Sequence, residues 1–156
     1  SNGFSLVRKV LDVEHADLTT PMEELEGKSL GETLLTPTRI YVKTIQCLLN
    51  NGIHIKAISH ITGGGLYENV PRMMKQGLTA QIETASFPVP PIFTLIAQKG
   101  NIPMRDMYNT FNMGVGMILA IPKEEAGHAK DILCRSGERA YIIGSVVNGD
   151  AGVELV

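Results

Sequence analysis

The stretch His60-Ile61-Thr62-Gly63-Gly64-Gly65-Leu66-Tyr67-Glu68-Asn69-Val70-Pro71-Arg72 closes an apolar run, residues 55–61, and carries three consecutive glycines. The run has strand length and β-branched content. Glycine reaches backbone angles closed to other residues and has no side chain to hold a ligand away. A strand, a glycine turn and a helix start, in that order, present free backbone N–H groups, an arrangement suited to an anion. A tight turn needing positive φ accounts for the glycines equally well. The neighbours favour the chemical reading: His60, Thr62, Glu68 and Asn69 lie within a few positions of the turn, and a plain turn requires none of them. Ligands of open α/β sheets collect at the carboxyl ends of strands, where His60 stands.

Upstream, Leu6, Val7, Val10 and Leu11 recur at helical spacing and predict a helix over residues 4–13, entered through Ser1-Asn2-Gly3 with Asn2 as its cap. Residues 17–28 are polar and read as a loop, and residues 30–35 as one or two helical turns. Gly27-Lys28-Ser29 imitates the end of a phosphate-binding P-loop, but Met22 stands where that motif needs glycine. Thr36-Pro37 supplies a cap and a first helical residue, and Ile40, Tyr41, Ile45, Leu48 and Leu49 then make one apolar face, ended by Asn50-Asn51-Gly52. Arg39 would fall in the first turn of that helix, where the dipole does not favour a cation. Its placement points to an anionic partner, although a solvated arginine is the commoner case.

Downstream, residues 79–84 read as a strand, and Pro88, Pro90 and Pro91 as a stiff entry to a helix over residues 92–98. Residues 104–108 read as another short helix. Residues 115–121 are uninterruptedly apolar and predict a buried central strand. After Pro122, Ala126, Ala129, Ile132 and Leu133 form the core face of a helix that Gly137 ends. Residues 140–147 make a final strand, and residues 152–156 an added edge. The alternation predicts a single α/β sandwich domain over residues 1–156, with helices packed on a mixed sheet.

With 156 residues, 44% of them hydrophobic and 19% charged, the chain can bury a core of its own. A net charge of −2 argues against a nucleic-acid or membrane-surface partner, and no apolar run approaches a membrane span. Cys47 and Cys134 stand far apart with no CxxC, as reduced thiols of a cytoplasmic protein do. No HExxH or paired CxxC is present, so no metal ligand is assigned. His15, His54 and His128 are dispersed in polar contexts and read as surface residues. His60 is as compatible with a structural as with a functional place.

Residues 60–72 closely resemble the phosphoribosylformylglycinamidine cyclo-ligase (aminoimidazole ribonucleotide synthetase) family. Three further stretches agree, in the family's order: residues 1–9, Ser-Asn-Gly-Phe-Ser-Leu-Val-Arg-Lys; residues 35–41, Leu-Thr-Pro-Thr-Arg-Ile-Tyr; and residues 110–117, Thr-Phe-Asn-Met-Gly-Val-Gly-Met. The resemblance extends to about residue 147 and covers the family's C-terminal half alone. It implies an N-terminal ATP-binding half as partner, a homodimer when full length, and ATP with Mg²⁺ bound mainly by that other half. It further implies conversion of formylglycinamidine ribonucleotide to aminoimidazole ribonucleotide through an iminophosphate, with this fragment inactive alone.

For that reaction His60 is the expected acid–base group, and Ser1, Asn2, Gly3, Arg39, Thr62, Gly63, Gly64, Gly65, Glu68, Asn69, Asn112 and Gly114 are the expected substrate- and phosphate-binding residues. The alternatives are another ATP-dependent member of the same superfamily, of the formylglycinamidine synthetase, selenophosphate synthetase or thiamine-phosphate kinase type, and a non-catalytic ligand-binding domain that kept the cleft.

Overall fold

The computed structural model describes residues 2–156. In chain order the elements are α1 (Phe4–Val10), α2 (Leu30–Leu34), α3 (Val42–Asn50), β1 (Ala57–His60), α4 (Gly65–Asn69), β2 (Leu78–Ile82), α5 (Pro91–Gly100), α6 (Met104–Thr110), β3 (Met117–Ala120), α7 (Ala126–Arg135), β4 (Gly144–Asn148) and β5 (Gly152–Leu155). The architecture is mixed α/β, as the alternation of periods predicts. The strands form two hydrogen-bonded groups. In one, β1 pairs antiparallel with β3; in the other the order is β4-β2-β5, with β2 antiparallel to β4 and parallel to β5.

Two apolar clusters hold these elements. The larger gathers Val7 of α1, Ile61 and Leu66 at the glycine turn, Ile82 of β2, Ile96 of α5, Met107 of α6 with Phe111 at its end, and Ile118 of β3. Burying one such side chain contributes about 1.5–3 kcal/mol before its ordering cost. The smaller joins Leu48 of α3, Ile53, and Ala129 and Ile132 of α7. Ala129 and Ile132 lie on the face the sequence predicts for α7.

Three local expectations need correction. The first concerns residues 115–121: β3 has one strand partner, β1, and is not central to a broad sheet. Its two-sided apolarity has another cause. Ile118 enters the larger cluster, while Leu119 and Ile121 pack on the smaller.

The second concerns α3, which starts at Val42 and not at Pro37, so Arg39 stands in no helical first turn. Residues 37–40 belong to no helix, and Tyr41 is the N-cap, its carbonyl accepting the Ile45 N–H at 2.9 Å. The third concerns α1. Gly3, left-handed at φ 78°, is its N-cap, and no side chain caps the helix. A left-handed cap is a glycine position, and it frees the Asn2 side chain.

Candidate functional site

The turn after β1 gives its three glycines three different surroundings. Gly63 borders Asn2: a Cβ built there would lie 3.3 Å from Asn2 Oδ1. Gly64, at φ 89°, lies under the Glu68 side chain, where a Cβ would come within 2.6 Å of Glu68 Cδ. Gly65, at φ 55°, is buried, and a Cβ would strike the carbonyl oxygens of Tyr108 and Phe111. The turn therefore closes against the end of α6 at a separation that only glycine permits.

Asn69 faces inward and is 4% exposed. Its side-chain amide donates to the carbonyls of Gly63 at 3.0 Å and Gly65 at 2.8 Å, and its backbone carbonyl accepts the Ser59 hydroxyl at 2.9 Å. A buried amide must be satisfied, and here the turn's own carbonyls satisfy it. Asn69 thus ties the glycine turn to α4 and β1.

Asn2, Thr62 and Asn112 come from three segments distant in sequence and line one small cleft, of about 30 Å³, together with Phe93 and Phe111. The two aromatic rings stand 5.6 Å apart, centroid to centroid. Asn112 is fixed by its own turn. Its Oδ1 accepts the Gly114 N–H at 3.0 Å, and the Val115 N–H donates to its carbonyl at 2.9 Å. Met113 and Gly114 both have positive φ, 51° and 95°, inside that turn. The left-handed region is uncommon for a methionine, and burial of Met113 in the larger cluster holds it there. The Asn112 Nδ2 donor makes no hydrogen bond among the described residues. Ser1, expected beside Asn2, lies outside the described residues.

His60 and Arg39 do not line this cleft. In β1 the alternation turns Ser59 into the core and leaves Ile58 and His60 exposed. The Tyr41 ring stands edge-on to the imidazole at 5.8 Å, and no hydrogen bond reaches the His60 ring among the described residues. Burial pushes the Tyr41 hydroxyl above the ordinary tyrosine range, with Arg39 opposing and Glu138 adding to the effect. Its place beside the backbone depends on Gly116, where a Cβ would strike the Tyr41 hydroxyl oxygen. Arg39 pairs with Glu138, whose other oxygen accepts the Thr44 hydroxyl at 2.7 Å. It is thereby committed to a carboxylate of its own chain.

Phe93, Phe111 and Tyr41 are site-bordering residues absent from the sequence-based candidates. Phe111 stands directly before Asn112 and could have been paired with it. Phe93 carries no local signal beyond the prolines ahead of it. Among the described residues no three His, Cys, Asp or Glu side chains come together as a metal site. Among the described residues, too, no helix is long and apolar enough to cross a membrane.

Over residues 1–156 the sequence matches the family described as AIR synthase related protein, C-terminal domain. The chain belongs to this family. Relatives of this AIR synthase related domain include phosphoribosylformylglycinamidine cyclo-ligases of Agathobacter rectalis, 48% identical over 100% of the chain and 46% of the relative, and of Lactobacillus delbrueckii subsp. bulgaricus, 51% identical over 99% and 44%. The enzyme of that name from Bifidobacterium longum is 48% identical over 100% of the chain and 45% of its own length. The domain therefore spans less than half of the curated relatives it matches.

Among solved structures, Escherichia coli HypE, a hydrogenase maturation protein, superposes with a TM-score of 0.61 at 25% identity, over 81% of this chain and 39% of that one. A Thermus thermophilus protein superposes at 0.59 and 18% identity, over 99% of this chain and 47% of that one, a likeness of fold alone.

Proposed function

We propose that this domain forms the substrate side of the cleft in an ATP-dependent cyclo-ligase that closes the imidazole ring of aminoimidazole ribonucleotide. One observation carries the reading. In a chain about half identical to enzymes of that name, three separated segments meet at one cleft, through Asn2, Thr62 and Asn112.

In this reaction the formyl oxygen of formylglycinamidine ribonucleotide takes a phosphoryl group from ATP. An amidine nitrogen then attacks the activated carbon, the ring closes and phosphate leaves. Asn2 and Asn112 offer amide donors and acceptors, and Thr62 a hydroxyl, to the substrate's amide and ribose groups. Of the three glycines, Gly63 borders this cleft, so its backbone together with Thr62 is the part of the turn suited to the phosphorylated group. His60, exposed at the strand end, suits proton transfer. Asn69 positions the turn. Gly3 supplies the left-handed entry that frees Asn2, and Gly114 the N–H that fixes Asn112. Arg39, held by Glu138, could meet a phosphate only by leaving that carboxylate. The resemblance to the cyclo-ligases assigns ATP and Mg²⁺ mainly to the part of the longer relatives that this chain does not span.

The test is turnover by the full-length protein with formylglycinamidine ribonucleotide and ATP, read as phosphate and aminoimidazole ribonucleotide release. His60→Ala should lower turnover by roughly 10²–10⁴-fold, as loss of an acid–base group does, and barely move the melting temperature, because no core contact is lost. Unchanged turnover with a large fall in melting temperature would make His60 a structural residue.

A further inference from the structure

We propose that the Glu68 carboxylate is the seat of the substrate's cationic amidine, facing it as a bidentate acceptor above Gly64. The identity of the ligand rests on the cyclo-ligase reading, whereas the geometry of the seat does not. Glu68 folds back over Gly64, and that place is open to it because Gly64 has no side chain. Its side chain is 53% exposed.

Its one charged partner among the described residues is Arg72, with Nη2 at 3.3 Å from Oε2, while Arg72 Nη1 lies 3.4 Å from Asn69 Oδ1. Close guanidinium–carboxylate bonds run about 2.7–2.9 Å, so this pair is loose, and pairs this exposed contribute little. Glu68 Oε1 has no partner among the described residues.

A carboxylate accepts two parallel N–H bonds from a planar fork. An amidinium presents the same N–C–N fork as the Arg72 guanidinium that now approaches it. Sign decides between ligands: a phosphate over Gly64 would face a carboxylate, whereas an amidinium there gains from it. Asn69, the next residue of α4, is locked to the carbonyls of Gly63 and Gly65, which fixes the helix that carries Glu68. The seat stands over Gly64, the chain neighbour of Gly63, whose Cβ position faces the cleft residue Asn2.

Two measurements test the proposal. The first titrates the 156-residue chain with acetamidinium chloride and, separately, with acetamide, reading the amide resonances of residues 63–69. Saturable shifts with acetamidinium alone, abolished in Glu68→Gln, are expected. No saturable shift in the wild type, or shifts that persist in Glu68→Gln, would overturn the seat. The second uses steady-state rates of the full-length enzyme. Glu68→Gln should raise the KM for formylglycinamidine ribonucleotide about tenfold or more, the loss of a charge-assisted contact, and leave the KM for ATP unchanged, with Glu68→Asp recovering part. An unaltered KM in an active Glu68→Gln enzyme would also overturn it. A wild-type enzyme without turnover would remove the cyclo-ligase reading and leave the seat to be judged by the titration.

Discussion

Gly63 and Gly65 are neighbours but one in the same turn, and they should respond to alanine in opposite ways. Gly65 combines a left-handed φ of 55° with a Cβ direction aimed at two carbonyl oxygens. Gly65→Ala should therefore destabilise the chain by about 2–4 kcal/mol, through backbone strain and overpacking together. Gly63 has no positive φ, and its added methyl meets the Asn2 side chain, with Oδ1 nearest at 3.3 Å. Gly63→Ala should keep stability to within about 0.5 kcal/mol while crowding the cleft that Asn2 lines. Urea unfolding of the two variants checks the pair. Equal losses would mean that the turn acts as one structural unit and that Gly63 has no separate place at the cleft.

Where strands and helices carry a clear period on one face, they were legible in the sequence. The core face of α7, the short α2 and the strand leading to His60 are read correctly. Residues 115–121 mislead because apolarity on both faces has two sources. One is a central place in a parallel sheet; the other, found here, is a two-stranded ribbon lying between two apolar clusters. Thr36-Pro37 misleads because its cap chemistry is sound but the helix does not begin until Val42. At the site, the convergence of Asn2, Thr62 and Asn112 was anticipated from motifs. The inward turn of Asn69 and the pairing of Arg39 with Glu138 were not, because local sequence does not say which partner a polar side chain will meet.

The connecting segments carry a pH dependence of their own. Asp17 accepts the Thr19 and Thr20 N–H groups and both hydroxyls, at 2.6–3.1 Å, with the Thr20 hydroxyl the strongest influence, and its carboxyl is held well below the usual range. Glu32 is lowered by the Ser29 N–H and hydroxyl in the capping box of α2, and Glu125 by the His54 N–H and ring. Each folded pKa lies below its unfolded value. The stabilisation is therefore complete above the unfolded carboxylate range, about pH 4, and is lost as pH falls through the folded values. Asp17→Ala should be less stable than wild type at neutral pH, with the difference narrowing below about pH 4. Melting curves across pH check this, and a difference constant into strong acid would show that the Asp17 bonds do not depend on ionisation.

At the scale of the whole molecule, two clusters brace a short ribbon and a three-stranded sheet, and the loops between them bring three distant segments to one cleft. Some large apolar side chains remain open to solvent, with Leu35 82% and Ile40 81% exposed. Relatives about twice as long have further chain to place, and the proposed reaction needs an ATP site that this domain is not proposed to supply. The proposed function requires that the cleft of Asn2, Thr62 and Asn112 hold substrate. Asn2 is the cleanest probe, because it is exposed, caps no helix and fills no core position. The most direct measurement is kcat/KM for formylglycinamidine ribonucleotide in the full-length Asn2→Ala protein, paired with its melting temperature. A fall of about 10–100-fold is expected, the loss of one or two ligand hydrogen bonds, with an unchanged melting temperature; an unchanged kcat/KM would mean that this cleft does not hold substrate.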